Sequence, residues 1–226
     1  MRYWAWILLS LYSLTGLALP TNFDATYVVS AFGADIGESR HRLHCSTHGD
    51  CELSSQTRPI GLARIFTNER LQERSRFSLK PAPQWHYYEK KKYAGDKLVR
   101  TVTLIRQAAH ILYVQGPRRF PLHVNVFDAL SLPFVLHRWA TPPDALYLQD
   151  NNWQDQLTAI RWHAPTQLAG RDARHYRLEG QYVKVDIWLD EDTKHIPLKV
   201  QVYNRDTDKT ITLTLKQEAQ TDHALE

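Results

Sequence analysis

Glycine is scarce in this chain, with nine residues among 226. A phosphate-binding glycine loop has nowhere to sit. There is no G-x-S-x-G elbow, no H-E-x-x-H pair and no doubled C-x-x-C, so the usual signatures of nucleotide handling, serine hydrolysis and zinc chemistry are missing. Cysteine is confined to Cys45 and Cys51. Apart from the run Lys90 to Lys92, charge is never concentrated: 28 basic and 24 acidic side chains are interleaved, for a net charge of +4, and no nucleic-acid footprint results. Repeats and low-complexity tracts are absent as well.

Long apolar runs are also lacking, with one exception. From Trp4 to Leu19 the chain is largely apolar, preceded by Arg2 and followed by Pro20. About 15 such residues fall short of the ~20 that span a membrane. Gly16-Leu17-Ala18 supplies the small residues of a signal-peptide cleavage site. We therefore expect cleavage after Ala18 and export to the periplasm with no transmembrane anchor after processing. One β-rich domain is expected over residues 19–217, with a loose tail at 218–226. Cys45 and Cys51 bracket a turn-like segment, Ser46-Thr47-His48-Gly49-Asp50. In an oxidising compartment this spacing favours a disulfide across a hairpin. Free thiols, or a metal site using His41, His44 and His48 with the cysteines, are the alternatives, but the spacing matches no standard zinc pattern. No metal and no cofactor is expected.

What the chain does have is aromatic and alternating. It carries 7 Trp, 11 Tyr and 7 Phe, which suit strands. Val183, Val185, Ile187 and Leu189 share one face of an arm, and Ile196, Leu198, Val200 and Val202 one face of the next, with an Asp190-Glu191-Asp192 turn between. This is the pattern of a half-buried β-hairpin, and Ile211, Leu213 and Leu215 extend it. Similar alternation recurs upstream, as in Leu71, Glu73, Ser75, Phe77 and Leu79. The predicted fold is mainly β, an antiparallel, strongly curved sheet or an open barrel or sandwich of roughly ten strands. One short helical segment is predicted near Asp128, a candidate N-cap, with Pro133 forcing the helix to be short or to start afresh there. Leu62 to Phe66 reads equally as a helical turn or a bridge.

Candidate chemistry is thin. Lys90, Lys91 and Lys92 read as a solvated strand end that guards against edge pairing, the alternative being an anion-binding patch. Asp190, Glu191 and Asp192 with His195 read as an ordinary turn rather than an acid-base set. Asp128, Ser131 and His137 read as a capping region rather than a hydrolytic triad, since no oxyanion-hole signature accompanies them. No catalytic residue is assigned. The stronger expectation is a ligand site on the concave face, near the Asp128 to Trp139 segment. Trp85, Tyr87, Trp139 and Trp188 are its candidate ligand-binding residues, with Trp153 and Trp162 as further pocket aromatics. The same rings could instead fill the core.

Three motifs carry a family resemblance: Glu73-Arg74-Ser75-Arg76-Phe77, Phe127-Asp128-Ala129-Leu130-Ser131, and Trp188-Leu189 returning through Ile196-Pro197-Leu198. In this order they resemble the bacterial exported family called domain of unknown function 3108, over about Thr26 to Leu215. The Cys45 and Cys51 pair is not part of that pattern. The resemblance implies a periplasmic β-rich domain and assigns no activity. The expected role is therefore a non-enzymatic envelope binding or assembly module for a lipid, glycan or peptide. A hydrolase acting on envelope polymers is the alternative.

Overall fold

The computed structural model describes residues 22–139, 143–162, 166–192 and 196–218; the side chains of residues 159–162 and 217–218 are excluded. The expected leader (residues 1–18), His195 and residues 219–226 lie outside that set. In the first half the strands are β1 (Asn22–Ala31), β2 (Ala34–Cys45), β3 (Asp50–Pro59), β4 (Glu69–Ser78), β5 (Gln84–Ala94), β6 (Lys97–Arg106), β7 (His110–Tyr113) and β8 (Arg119–Pro121). The second half comprises β9 (Val126–Asp128), β10 (Leu146–Gln149), β11 (Gln154–Trp162), β12 (Thr166–Leu168), β13 (Arg171–Glu179), β14 (Val183–Asp190), β15 (Pro197–Asn204) and β16 (Lys209–Glu218).

All sixteen described strands belong to one sheet, against the roughly ten predicted from the alternation. The ladder runs from β8 back to β1, crosses to β16 and descends to β9, with β12 paired off this path to β13. Every pairing is antiparallel except β9 with β10. The undercount has a simple cause. Strands of three or four residues, such as β8, β9, β10 and β12, are too short to display a period of two, and β9 is buried on both faces.

The two free edges, β8 and β9, are consecutive in sequence and separated only by residues 122–125. The sheet therefore curls until its ends approach. Side chains tie the β8 end to β11 and the turn before it: Gln154 Nε2 donates to the Pro121 carbonyl at 3.1 Å, and Arg118 Nη1 to Asn152 Oδ1 at 2.8 Å. No ladder joins β8 to β9 among the described residues, so the barrel stays open.

Alternation fixes the inner face. Phe23, Ala25, Tyr27, Val29 and Ala31 of β1 all point inward and are buried. The predicted hairpin is present, with Val183, Val185, Ile187 and Leu189 buried and Ile187 opposite Val200. Each such buried side chain contributes roughly 1.5–3 kcal/mol. Cys45 and Cys51 face each other across β2 and β3 and form a disulfide, with Cα atoms 4.1 Å apart. Closing so short a loop stabilises the fold by about 2 kcal/mol.

One end of the barrel is plugged. After β9 the chain turns into α2 (Leu132–Val135) and a 3-10 turn over Leu136–Arg138. The helix begins at Leu132 with Pro133 in its first turn, where a missing N–H costs nothing. Leu132 to Leu136 are all buried, and the Phe134 ring lies 5.6 Å from Phe23 at the start of β1. The segment around Leu62 resolves as a single helical turn, α1 (Ala63–Phe66).

Candidate functional site

The ladder registers sort the interior of β1 to β6 into rows. Nearest the plug, Cys45, Cys51, Phe77 and Trp85 lie side by side. The next row is Phe23, Leu43, Leu53, Ser75, Tyr88 and Leu104. Above it come Ala25, His41, Ser55, Glu73, Lys90 and Val102, and above that Tyr27, Ser39, Thr57, Leu71, Lys92 and Arg100. Polarity rises from the plug toward the open end.

The polar rows are hydrogen-bonded through. Asp128, at the edge of the sheet, is tucked against β4 and β5. Its Oδ2 accepts from Ser75 Oγ at 2.5 Å, Trp85 Nε1 at 2.7 Å and Ser131 Oγ at 2.9 Å. Its Oδ1 accepts from the backbone N–H groups of Leu130 and Ser131. Burial pushes the Asp128 carboxyl above the usual carboxylate range, with the bonds from Ser75, Ser131 and Leu130 opposing it. One row up, the Tyr88 hydroxyl donates to Glu73, and burial raises that phenol well above its ordinary range. His41 Nε2 lies 3.0 Å from Ser39 Oγ, which accepts from Thr57 Oγ1 at 2.8 Å. Burial lowers the His41 imidazole to about 4, despite the opposing charge of Glu73.

Above these rows the barrel opens into a cavity of about 390 Å³. Val29, Ile36, Leu71 and Val102 give it an apolar lining, while Lys90, Lys92 and Arg100 bring positive charge. Lys92 Nζ is 2.7 Å from Glu69 Oε1, and Lys90 Nζ is 3.8 Å from Glu73 Oε1. The lysine run is thus divided by the pleat: Lys90 and Lys92 face the cavity, and Lys91 pairs with Glu89 at 2.8 Å on the outside. Gly37 completes the wall, since a Cβ there would sit 3.0 Å from the Arg58 carbonyl.

The four aromatics expected to bind a ligand are not brought together. Trp85 is fully buried and donates to Asp128. Tyr87 would share its face in a regular strand, but a bulge opposite Arg76 and Phe77 sends it outside, where the Arg76 guanidinium lies 5.3 Å from its ring. Trp188 alternates with inward Ile187 and Leu189, so it stands on the outer face, stacked on His175 at 4.3 Å with Lys199 Nζ 4.8 Å from its ring. Trp139 packs edge-on against Phe127 at the plugged end. Trp153 stacks on Tyr182, and the Trp162 side chain lies outside the described set.

Ser131 and Asp128 are hydrogen-bonded to each other but wholly buried, where no substrate reaches them. Asp190 is buried and ion-paired with Arg171, and Glu191 pairs with Arg174 at 3.0 Å. No group of three or more metal-ligating side chains occurs among the described residues. The row of His41, Ser55, Glu73 and Lys90 went unread in the sequence. Its only signal was the inward assignment of Glu73 and Ser75 by alternation, because partners on four separate strands are joined only once the register is known.

No family model and no curated protein matches the chain. A solved fold does. The crystal structure of a β-barrel-like protein of the domain of unknown function DUF1849, from Brucella abortus, aligns over 88% of this chain and 98% of its own with a TM-score of 0.54. At 10% identity that likeness establishes the open barrel-like fold alone. The hypothetical protein CT021 of Chlamydia trachomatis (9% identity, 91% of this chain and 90% of that one, TM-score 0.37) is more distant. So is a DUF1329 family protein of Desulfovibrio piger (8% identity, 93% and 89%, TM-score 0.34).

Proposed function

We propose that the protein is an exported, non-enzymatic binding module that takes an apolar chain bearing an acidic group into the open end of its barrel. The cavity carries this reading. Its volume falls within the ~300–1,000 Å³ of small-molecule sites, its wall is apolar, and its cations outnumber the carboxylates that face them. An apolar chain gains by leaving water, while Lys92 and Arg100 at the rim meet its charge without being fully desolvated. This moves the expected ligand from the Asp128 to Trp139 segment to the opposite end. A periplasmic address is part of the proposal. The leader, the resemblance to the DUF3108 family and the disulfide support it, since disulfides persist in oxidising compartments. Sequencing of the exported protein should begin at Leu19, and an intact Met1 would overturn the address.

The cavity is tested with a dansyl-tagged undecanoic acid. Wild-type protein should enhance its fluorescence saturably. Leu71→Trp, which fills the cavity from a half-buried lining position, should weaken binding by about tenfold or more. Equal affinity in a variant with unchanged melting temperature would remove the cavity as the site.

A further inference from the structure

Along the β1 to β6 side of the cavity mouth, apolar side chains are exposed to an unusual degree. Phe32 is 79% exposed, Leu62 75%, Ile65 74% and Phe66 85%, and Leu98 and Val99 are each 47% exposed. Phe32 comes from the β1–β2 turn, Leu62, Ile65 and Phe66 from the β3–β4 connection, and Leu98 and Val99 from the start of β6 just after the β5–β6 turn. The three turns adjoin in space, for the Ile60 N–H bonds the Ile36 carbonyl and the Gly95 N–H the Asn68 carbonyl. All three turns lie at the open end, because antiparallel pairing places every second connection there. Side chains that could have packed into the barrel stand away from it instead.

Each apolar group has a basic companion. Lys209 Nζ lies 5.8 Å from the Phe32 ring. Arg64 sits within α1 between Leu62 and Ile65, and Lys97 and Arg100 flank Leu98 and Val99. The nearby acidic groups have partners of their own: Asp96 pairs with Arg70 at 2.8 Å, Asp35 accepts from Ser30 Oγ at 2.6 Å and Asp208 from the Tyr203 hydroxyl at 2.9 Å. We propose that this rim docks the open end of the barrel onto a lipid bilayer containing anionic headgroups. The shape selects a bilayer over a protein partner: the apolar side chains are separate tips along the β1 to β6 arc of the mouth, not a groove or flat patch that one helix or strand would cover. Apolar tips entering the acyl boundary while Lys and Arg remain at headgroup level is the division of labour of peripheral membrane proteins. The cavity mouth then faces the bilayer. The docking surface is independent of what the cavity holds.

Flotation of purified protein with vesicles tests this, using phosphatidylethanolamine mixed with phosphatidylglycerol against vesicles of phosphatidylcholine alone. Wild-type protein should float with the anionic vesicles and only weakly with the neutral ones. The double variant Ile65→Ser/Phe66→Ser alters two solvent-exposed side chains outside the cavity. It should lower the vesicle-bound fraction about tenfold and leave dansyl-undecanoate binding and the melting temperature unchanged. Equal flotation of variant and wild type, or none by wild type, overturns the docking surface. So does concentration-dependent self-association without vesicles that the double variant abolishes, since a second copy would then cover the rim. Loss of dansyl-undecanoate binding in wild type, with flotation intact, counts against the cavity reading alone.

Discussion

His41 and Asp128 are buried within the same barrel, and burial acts on them with opposite consequences for acid stability. The neutral imidazole of His41 is favoured in the folded state, whose value is about 4 against an ordinary 6.5. In that interval the unfolded chain binds a proton that the folded one refuses, so stability falls as pH falls through it, by about 3 kcal/mol in all. Asp128 runs the other way. Its carboxyl is raised, so its contribution is fully present below the unfolded value of about 3.9 and is lost as pH rises through the folded one. His41→Gln keeps a polar side chain beside Ser39 but cannot titrate. Urea unfolding at pH 7 and pH 4.5 should show wild type losing about 2–3 kcal/mol more than the variant over that step, because the Asp128 contribution is common to both. Equal losses would mean that His41 is solvated. The sequence marked Asp128 as a capping residue, and its Oδ1 does accept from the Leu130 and Ser131 N–H groups. Its bonds to Ser75 and Trp85, and the burial of His41, read in the sequence only as a possible metal ligand, depend on strands distant in sequence.

Among the elements, the hairpin of β14 and β15 was the most legible, and its faces allow a direct contrast between neighbours. Val185 is buried on the inner face, whereas Lys184 is half-exposed on the outer. Val185→Asp should cost several kcal/mol, the expense of an unpaired buried carboxylate. Lys184→Asp should cost about 1 kcal/mol, mostly by repulsion from Asp186, whose Oδ2 is 4.0 Å from Lys184 Nζ. Thermal melting of the two variants decides it; similar melting temperatures would mean that the faces are exchanged. The outer face was only half-read. Asp186 is buried there beneath His175 and Arg177, at 2.7 and 2.8 Å, because long side chains from a neighbouring strand cover it. Bulges defeat alternation in the same way, as with Trp85 and Tyr87, since one extra residue reverses every later face.

At the scale of the whole molecule, curvature was readable and closure was not. Alternating strands with one apolar face must curl or find a second layer; which strand meets which across the chain is a long-range fact that no local pattern encodes. The four expected aromatics are apart for more local reasons: a bulge turns Tyr87 outward, and the alternation that buries Ile187 and Leu189 puts Trp188 on the outer face. The cavity is what depends on ladder order, for Val29, Leu71, Lys92 and Arg100 come from four strands.

The ladder between β1 and β16 has a further consequence. Among the described pairings it is the one that joins the two halves, and it couples Ala31 to Ile211, near opposite ends of the chain. During synthesis or translocation, with the N-terminus leading, β1 is made first and its outer edge stays vacant until the last strand emerges. The interim species is a half-sheet with an open edge, the kind of surface that chaperones cover and that aggregates by edge pairing. Where two such chains meet at high concentration, each has the missing strand of the other. Exchange of β16 between copies, giving a domain-swapped dimer with every ladder intact, is the misassembly that this topology favours.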